Sequence, residues 1–404
     1  MGTHHEERAA VDLPGQSKNL ALATFAFTVT FWAWNIISPL GVRYTEAMGL
    51  SGTQKALLVA IPVLVGSLGR IPVGALTDRY GGRLMFTVLS LASAPFVLLV
   101  AWAGSLDSFP LMLLFGFFLG IAGTTFAAGI PFVNAWYRAD RRGFATGVFG
   151  AGMGGTALSA ALTPRLVSWF GYVTTHVVFA VGLVATAAIC WTAMRNSPLW
   201  QPNRDPVVPK LAAAARLTVT WQMSLLYAVA FGGFVAFSTY LPTYLNDIYA
   251  FDLTAAGTRT AGFAIAAVVA RPVGGTLSDR IGSRTVMTIS LAGTAVMAVV
   301  LALQPPLEVA AGASFVAMAA FLGLGTGPVF AWVAQLAPPE RVGSVSGLVG
   351  AAGGLGGFFP PLVMGATQDT VFDGYGLGLG LLCVVALAAL AFTRFVVARP
   401  PRAR

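Results

Sequence analysis

Apolar residues run along this chain in stretches of about twenty, separated by short segments rich in arginine, glycine and proline. A helix needs roughly 20 apolar residues to cross the hydrocarbon core of a bilayer. Twelve such stretches are present, at about 19–41, 53–76, 84–104, 109–136, 143–169, 173–194, 218–245, 255–277, 285–303, 309–335, 342–366 and 375–397. The pattern predicts an all-α membrane protein of twelve transmembrane helices. Between the sixth and seventh, residues 196–216 carry Pro198, Pro202, Pro206 and Pro209 among mixed charges, which marks a linker rather than a span. It divides the chain into an N-terminal six-helix bundle, 1–195, and a C-terminal one, 217–404.

Composition agrees. Only 10% of the 404 residues are charged and 56% are hydrophobic, whereas a soluble domain carries roughly 25% charged residues. The formal charge of +9 would suit nucleic acid if it were gathered on one solvated face. Instead it falls in clusters between spans, as at Arg79 and Arg83, Arg138 to Arg142, Arg280 and Arg284, and Arg394 to Arg404. The alternate loops hold only Arg43, Lys55, Arg165 and Arg259. By the positive-inside bias both termini are expected in the cytoplasm, and no nucleic-acid partner is expected. The first 18 residues contain no apolar leader, so the first span is expected to stay as a helix in the inner (plasma) membrane.

Little else carries chemistry. Cys190 and Cys383 each lie inside an apolar span and read as buried thiols. His176, alone at the outer start of the sixth span, reads as an interface residue rather than a proton carrier. We find no metal-ligand cluster and no nucleophile–base pair, and the glycine runs lack the Gly-Lys-Ser/Thr ending that ATP would need. No enzyme activity, metal or cofactor is expected.

The two halves repeat each other. Arg70, Gly74, Asp78, Arg79, Gly81 and Arg83 recur as Arg271, Gly275, Asp279, Arg280, Gly282 and Arg284 at a constant offset, and Gly143, Gly147, Gly150 and Gly154 recur as Gly343, Gly347, Gly350 and Gly354. Duplicated halves that move about a central site are a design of secondary transporters. Arg70 and Arg271 each stand eight residues before the loop aspartate, roughly 12 Å up a helix at 1.5 Å per residue. That depth lies well inside the bilayer, where a charge costs about 2.5–3.5 kcal/mol. No aspartate or glutamate occupies the middle of any span, so the simplest partner is an anionic substrate held by two planar guanidiniums. Each aspartate, at a helix end, could pair with arginines and latch the halves in one state. The glycine runs offer smooth faces that pack closely and slide.

The loop elements Gly74 to Arg83 and Gly275 to Arg284 resemble the Gly-x-x-x-Asp-Arg-x-Gly-x-Arg element of the major facilitator superfamily. It joins spans two and three there, with a weaker copy between eight and nine. Within the superfamily the chain resembles the nitrate/nitrite porters, which keep one arginine in span two and one in span eight, matched by Arg70 and Arg271. Their glycine-rich signatures in spans five and eleven are similar to Gly147-Val-Phe-Gly-Ala-Gly-Met-Gly-Gly-Thr-Ala157 and Gly347-Leu-Val-Gly-Ala-Ala-Gly-Gly-Leu-Gly-Gly357. The run Leu225 to Ser238 resembles their seventh span. The resemblance implies the major facilitator fold and a nitrate or nitrite site lined by Arg70, Arg271, Tyr227, Phe231, Phe126 and Phe31. It implies a gating role for Asp78, Arg79, Arg83, Asp279, Arg280, Arg284 and the glycines 147, 150, 154, 347, 350 and 354. Gly155 departs from the pattern, since that family often has asparagine there.

The expected function is alternating-access transport of nitrate and/or nitrite, by exchange or coupled to protons, in a monomer. A porter for another small anion (monocarboxylate, oxalate or organophosphate) would also use paired arginines. Multidrug efflux would call for a greasy pocket, often with an embedded acid, and a transporter-like receptor for a larger soluble segment than these tails provide.

Overall fold

The computed structural model describes residues 13–138, 141–203, 206–305, 308–338, 341–368 and 375–397. All regular structure among them is helical. Ten helices are each long and apolar enough to cross a membrane, and Gly52–Leu68 with Arg70–Tyr80 makes an eleventh, bent by 40°. The remaining expected span, the fifth, is built from Arg142–Gly150, a 3-10 stretch at Ala151–Gly154, and Gly155–Phe170. Its glycine run supplies little side-chain packing to hold a regular α-helix there. Leu91, Trp102, Val181, Val269 and Val384 are all more than half exposed. Such an apolar exterior is one that lipid, not water, can cover.

Several elements exceed the sequence expectation. The first span, Gln16–Trp34, runs through a 3-10 turn at Ser38–Leu40 into a further helix, Gly41–Met48. The linker contains a helix of its own, Val207–Ala215. It docks on the first loop motif: the Asn203 amide donates to the Asp78 carbonyl at 3.0 Å, and Asn196 Oδ1 accepts from the Arg83 amide at 3.0 Å. The end of the molecule that holds the motif loops is therefore also the linker end.

The motif glycines make the turns possible. Gly81 and Gly282 sit at φ +83° and +87°, in a region that costs a residue with a β-carbon but not glycine. Each turn drops the chain directly from one span into the next.

Packing repeats between the halves. The third span lies on the sixth as the ninth lies on the twelfth. Contact between halves runs along the second span against the eleventh and the fifth against the eighth. At the end remote from the linker these pairs touch backbone to backbone. A β-carbon at Gly257 would stand 2.1 Å from the Ala160 carbonyl oxygen, and one at Gly365 would stand 2.5 Å from that of Gly52. The first and seventh spans also meet there, where the Ser38 hydroxyl donates to the Thr239 carbonyl.

The linker end differs. Gly147 lies one turn from Gly150, on the same helix face, and Gly150 faces Arg271 of the other half. Gly147 thus points into the seam between halves, yet nothing stands within 4 Å of its β-carbon position. Gly343 and Gly347 are equally clear, and all three are exposed. The seam is closed at one end and open at the linker end.

Candidate substrate site

Arg70 owes its place to the bend in the second span. Pro72 cannot donate the backbone hydrogen bond that Leu68 would accept, and its ring crowds that carbonyl. Gly69 provides the room: a β-carbon there would stand 2.8 Å from the Val65 carbonyl oxygen and 2.8 Å from Thr124 Cγ2. The bend aims Arg70, only 3% exposed, across the seam at the eleventh span. Its Nη1 donates to the Gly350 carbonyl at 2.9 Å. Its Nε and Nη2 have no hydrogen-bond partner among the described residues.

Aromatic rings surround this guanidinium. Its carbon lies 5.1 Å from the centroid of Phe126 and 5.4 Å from that of Phe231. Those two rings are stacked at 6.4 Å, and Tyr227 stacks in turn on Phe231 at 4.9 Å, almost parallel. Cation–π attraction at such distances is worth about 0.5–2 kcal/mol when desolvated, enough to orient the group but not to satisfy its donors.

Arg271, from the eighth span, lies over the same Phe126 ring at 5.8 Å. Its Nη1 contacts Met153 Sδ at 2.6 Å, and its Nη2 points at the Tyr227 hydroxyl at 3.5 Å. The arrangement is reciprocal. Arg70 reaches from the first half to Gly350 and Phe231 of the second. Arg271 reaches back to Met153 and Phe126 of the first, with Gly150 beside it. Among the described residues the one ion pair is Lys55–Asp247, so no described carboxylate neutralises either arginine. No described cluster could hold a metal.

The structure thus gathers Arg70, Arg271, Phe126, Tyr227 and Phe231. Phe31 stands one layer back, packed on Phe27 at 4.3 Å and on Trp34 at 4.8 Å. Its β-carbon lies 3.0 Å from where one on Gly155 would stand. An asparagine at 155 would collide with the first span, since its β-carbon would come within 2.2 Å of the Thr28 carbonyl oxygen.

The sequence reading missed Met153, Phe27 and the Gly350 carbonyl. Met153 was legible in principle, being one turn from Gly150 on the face turned to the other half. Phe27, 5.8 Å from Phe126 and 4.7 Å from Phe149, carries no signal that separates it from other buried phenylalanines.

Known proteins match along nearly the whole chain. The Major Facilitator Superfamily model matches residues 23–361 and again 223–404. The "Probable nitrate/nitrite transporter NarK2" of Mycobacterium tuberculosis (strain ATCC 25618 / H37Rv) is 59% identical over 379 residues, covering 94% of this chain and 96% of that one. The chain belongs to the nitrate/nitrite porter family of the major facilitator superfamily. This porter is also 36% identical over 389 residues to the "Probable nitrate/nitrite antiporter NarK1" of Thermus thermophilus, covering 89% of this chain and 87% of that one. With the "Nitrite extrusion protein" of Bacillus subtilis (strain 168) it shares 33% identity over 380 residues, 93% of each chain. Among solved structures, a bacterial homolog of the human lysosomal transporter Spinster, inward-facing and occupied, has the same fold. Its TM-score is 0.72 at 18% identity, covering 95% of this chain and 97% of that one.

In the porter the loop arginines brace each half from within. Arg83 donates its Nε to the Trp191 carbonyl at 2.9 Å and lies over the Trp191 ring at 4.6 Å. Arg284 repeats this with the Thr393 carbonyl at 3.1 Å and that of Arg394. Both cap the ends of the sixth and twelfth spans, where unpaired carbonyls and the negative end of the helix dipole favour a cation. In this state, open at the linker end, these bonds join helices within one half. Arg79 rests on Tyr80 at 5.5 Å, Arg280 is exposed, and the Asp279 side chain lies outside the described residues. Lys210 of the linker helix acts electrostatically on Asp78. Of the glycines, Gly350 lies against Phe126 and Gly354 against Ser67, whereas Gly154, like Gly147 and Gly347, faces open space.

Proposed function

We propose that this porter exchanges nitrate and nitrite across the cell's inner membrane by alternating access, holding the anion between Arg70 and Arg271. One observation carries the reading: a guanidinium buried at mid-span, its Nε and Nη2 without a hydrogen-bond partner among the described residues, beside a second guanidinium over the same ring. A buried charged donor left unpaired costs about 1–3 kcal/mol or more. A planar oxyanion can accept two parallel hydrogen bonds from one such fork and still reach the other arginine. The printed names of the relatives support the same substrates.

The geometry also favours exchange over proton symport. Empty, the two cations repel, and the open linker end relieves that repulsion. An anion between them cancels it and pulls Gly147 and Gly347 towards the opposite half, closing the seam. The loaded carrier is then the one that changes state, which is the requirement for exchange. In this reading residues 1–195 and 217–404 rock as two bodies, with the 196–216 linker in the cytoplasm. A monomer suffices, because each half supplies one arginine.

Labelled nitrate uptake into proteoliposomes tests the coupling. Uptake is expected with nitrite inside, not with anion-free buffer, and is expected to survive a protonophore. Uptake into anion-free vesicles driven by a proton gradient would replace exchange by symport. Failure of nitrate to move under either condition would remove the substrate assignment.

A further inference from the structure

The closed end of the seam carries a second feature. Lys55, in the first turn of the second span, donates to Asp247 Oδ2 at 2.7 Å, and Asp247 lies in the last turn of the seventh span, Thr218–Tyr249. The pair bridges the two halves at the end remote from the linker. Lys55 is buried, its side chain 6% exposed, whereas the Asp247 side chain is 17% exposed on a residue that itself reaches solvent. The same carboxylate oxygen accepts from the Tyr375 hydroxyl at 2.5 Å and from Gln368 Nε2 at 3.1 Å. Tyr240 backs this up, its hydroxyl 3.3 Å from that of Tyr375.

Neither charge suits its own helix. A lysine at a helix N-terminus faces the positive end of the dipole, and an aspartate at a C-terminus faces the negative end. Each charge is therefore compensated across the seam and not within its half. Arg165 also crosses this end, donating to the neutral hydroxyl of Thr258, and the glycine approaches at 257 and 365 are uncharged. We propose that Lys55–Asp247 is the lock of this gate, with Tyr375 and Gln368 holding the carboxylate for it, and that the pair sets how far the resting carrier favours the state open at the linker end. Removing the aspartate charge leaves Lys55 buried and unpaired, and removing the lysine leaves the carboxylate with no cation across the seam. Parting the halves at this end hydrates that charge, so the equilibrium moves toward the opposite-facing state.

This inference rests on alternating access and not on the identity of the anion, and its test uses none. Two reporter thiols are placed one at a time in the purified protein with Cys190→Ala and Cys383→Ala. Thr243→Cys is fully buried in the closed end, one turn from Asp247, with Thr243 Oγ1 standing 3.2 Å from the β-carbon position of Gly41 in the other half. Gly343→Cys lies in the open linker end. Maleimide labelling rates are then compared.

Lys55→Gln and Asp247→Asn are each expected to speed labelling at 243 by about tenfold, a tenfold shift in the population ratio, and to slow it at 343. The exchanged pair, Lys55→Asp with Asp247→Lys, is expected to return both rates toward the parent. Tyr375→Phe keeps both charges and so keeps the test available if a single charge variant does not fold; it is expected to move both rates in the same directions by less. Unchanged labelling at 243 overturns the lock, as does faster labelling at 243 with no fall at 343, which is local loosening. An exchanged pair that labels as fast as the single variants also overturns it.

Discussion

In the proposed site Arg70 and Arg271 hold the anion, and the residues around them decide how well they do so. Gly353 is a sensitive position, because a β-carbon there would stand 2.1 Å from Tyr227 Cδ1. That ring cannot retreat: Phe231 stacks on one side and Phe330 meets it edge-on at 4.9 Å. Gly353→Ala is therefore expected to push Tyr227 off Arg271 and weaken nitrate binding by about tenfold or more, an overpacking cost of about 1–3 kcal/mol, read by calorimetric titration. Gly147→Ala is expected to behave in the opposite way. Its β-carbon meets nothing within 4 Å in this state, so binding is unchanged, but it fills the seam that has to close. Exchange is expected to fall by about tenfold or more at an unaltered dissociation constant. Equal losses of binding and exchange in Gly147→Ala would place that glycine in the site instead of the moving seam.

At the scale of the helices, the pattern of apolar runs was a sound guide to most spans and a poor one to their interruptions. The runs follow from the thickness of the bilayer, which leaves a helix few alternatives. The bend at Gly69 depends instead on Pro72 and on close contacts with Val65 and Thr124, and the latter involves a helix 55 residues further on. The 3-10 stretch at Ala151–Gly154 and the extra helix at Gly41–Met48 likewise have no period of their own. Asp247 sits just beyond the apolar run of the seventh span, and nothing local pairs it with a lysine 192 residues earlier. The loop motif was visible as charge, but the carbonyls its arginines meet in this state were not. Arg83 and Arg284 spend their donors on carbonyls at the ends of the sixth and twelfth spans. Arg83→Ala and Arg284→Ala are each expected to cost about 1–2 kcal/mol of stability, the range for a charge-assisted bond to a helix end. Thermal denaturation in detergent reads this, and the two losses are expected to be alike. A loss confined to one variant would mean that the duplicated motifs no longer do the same work.

For the whole molecule, duplication explains why a single site arises at all. Each half contributes one arginine, one glycine-rich helix and one wall of rings, and a pseudo-two-fold arrangement sets each arginine against the other half's glycines. The sequence made the arginines and their repetition plain, because a charge at that depth is expensive and its recurrence at a fixed offset is hard to obtain otherwise. What it could not display was the reciprocity, since Arg70 with Gly350 and Arg271 with Met153 are contacts between distant parts of the chain. The state captured is sealed at one end and open at the linker end, with the unpartnered donors of Arg70 between. The most direct test of this account is nitrate–nitrite exchange in proteoliposomes by Arg70→Lys and Arg271→Lys beside the parent. Lysine keeps the charge and loses the planar fork. Each variant is expected to lose exchange by about 10- to 100-fold, the equivalent of one charge-assisted hydrogen bond. Exchange at the parental rate in either variant would contradict an anion held by both guanidiniums.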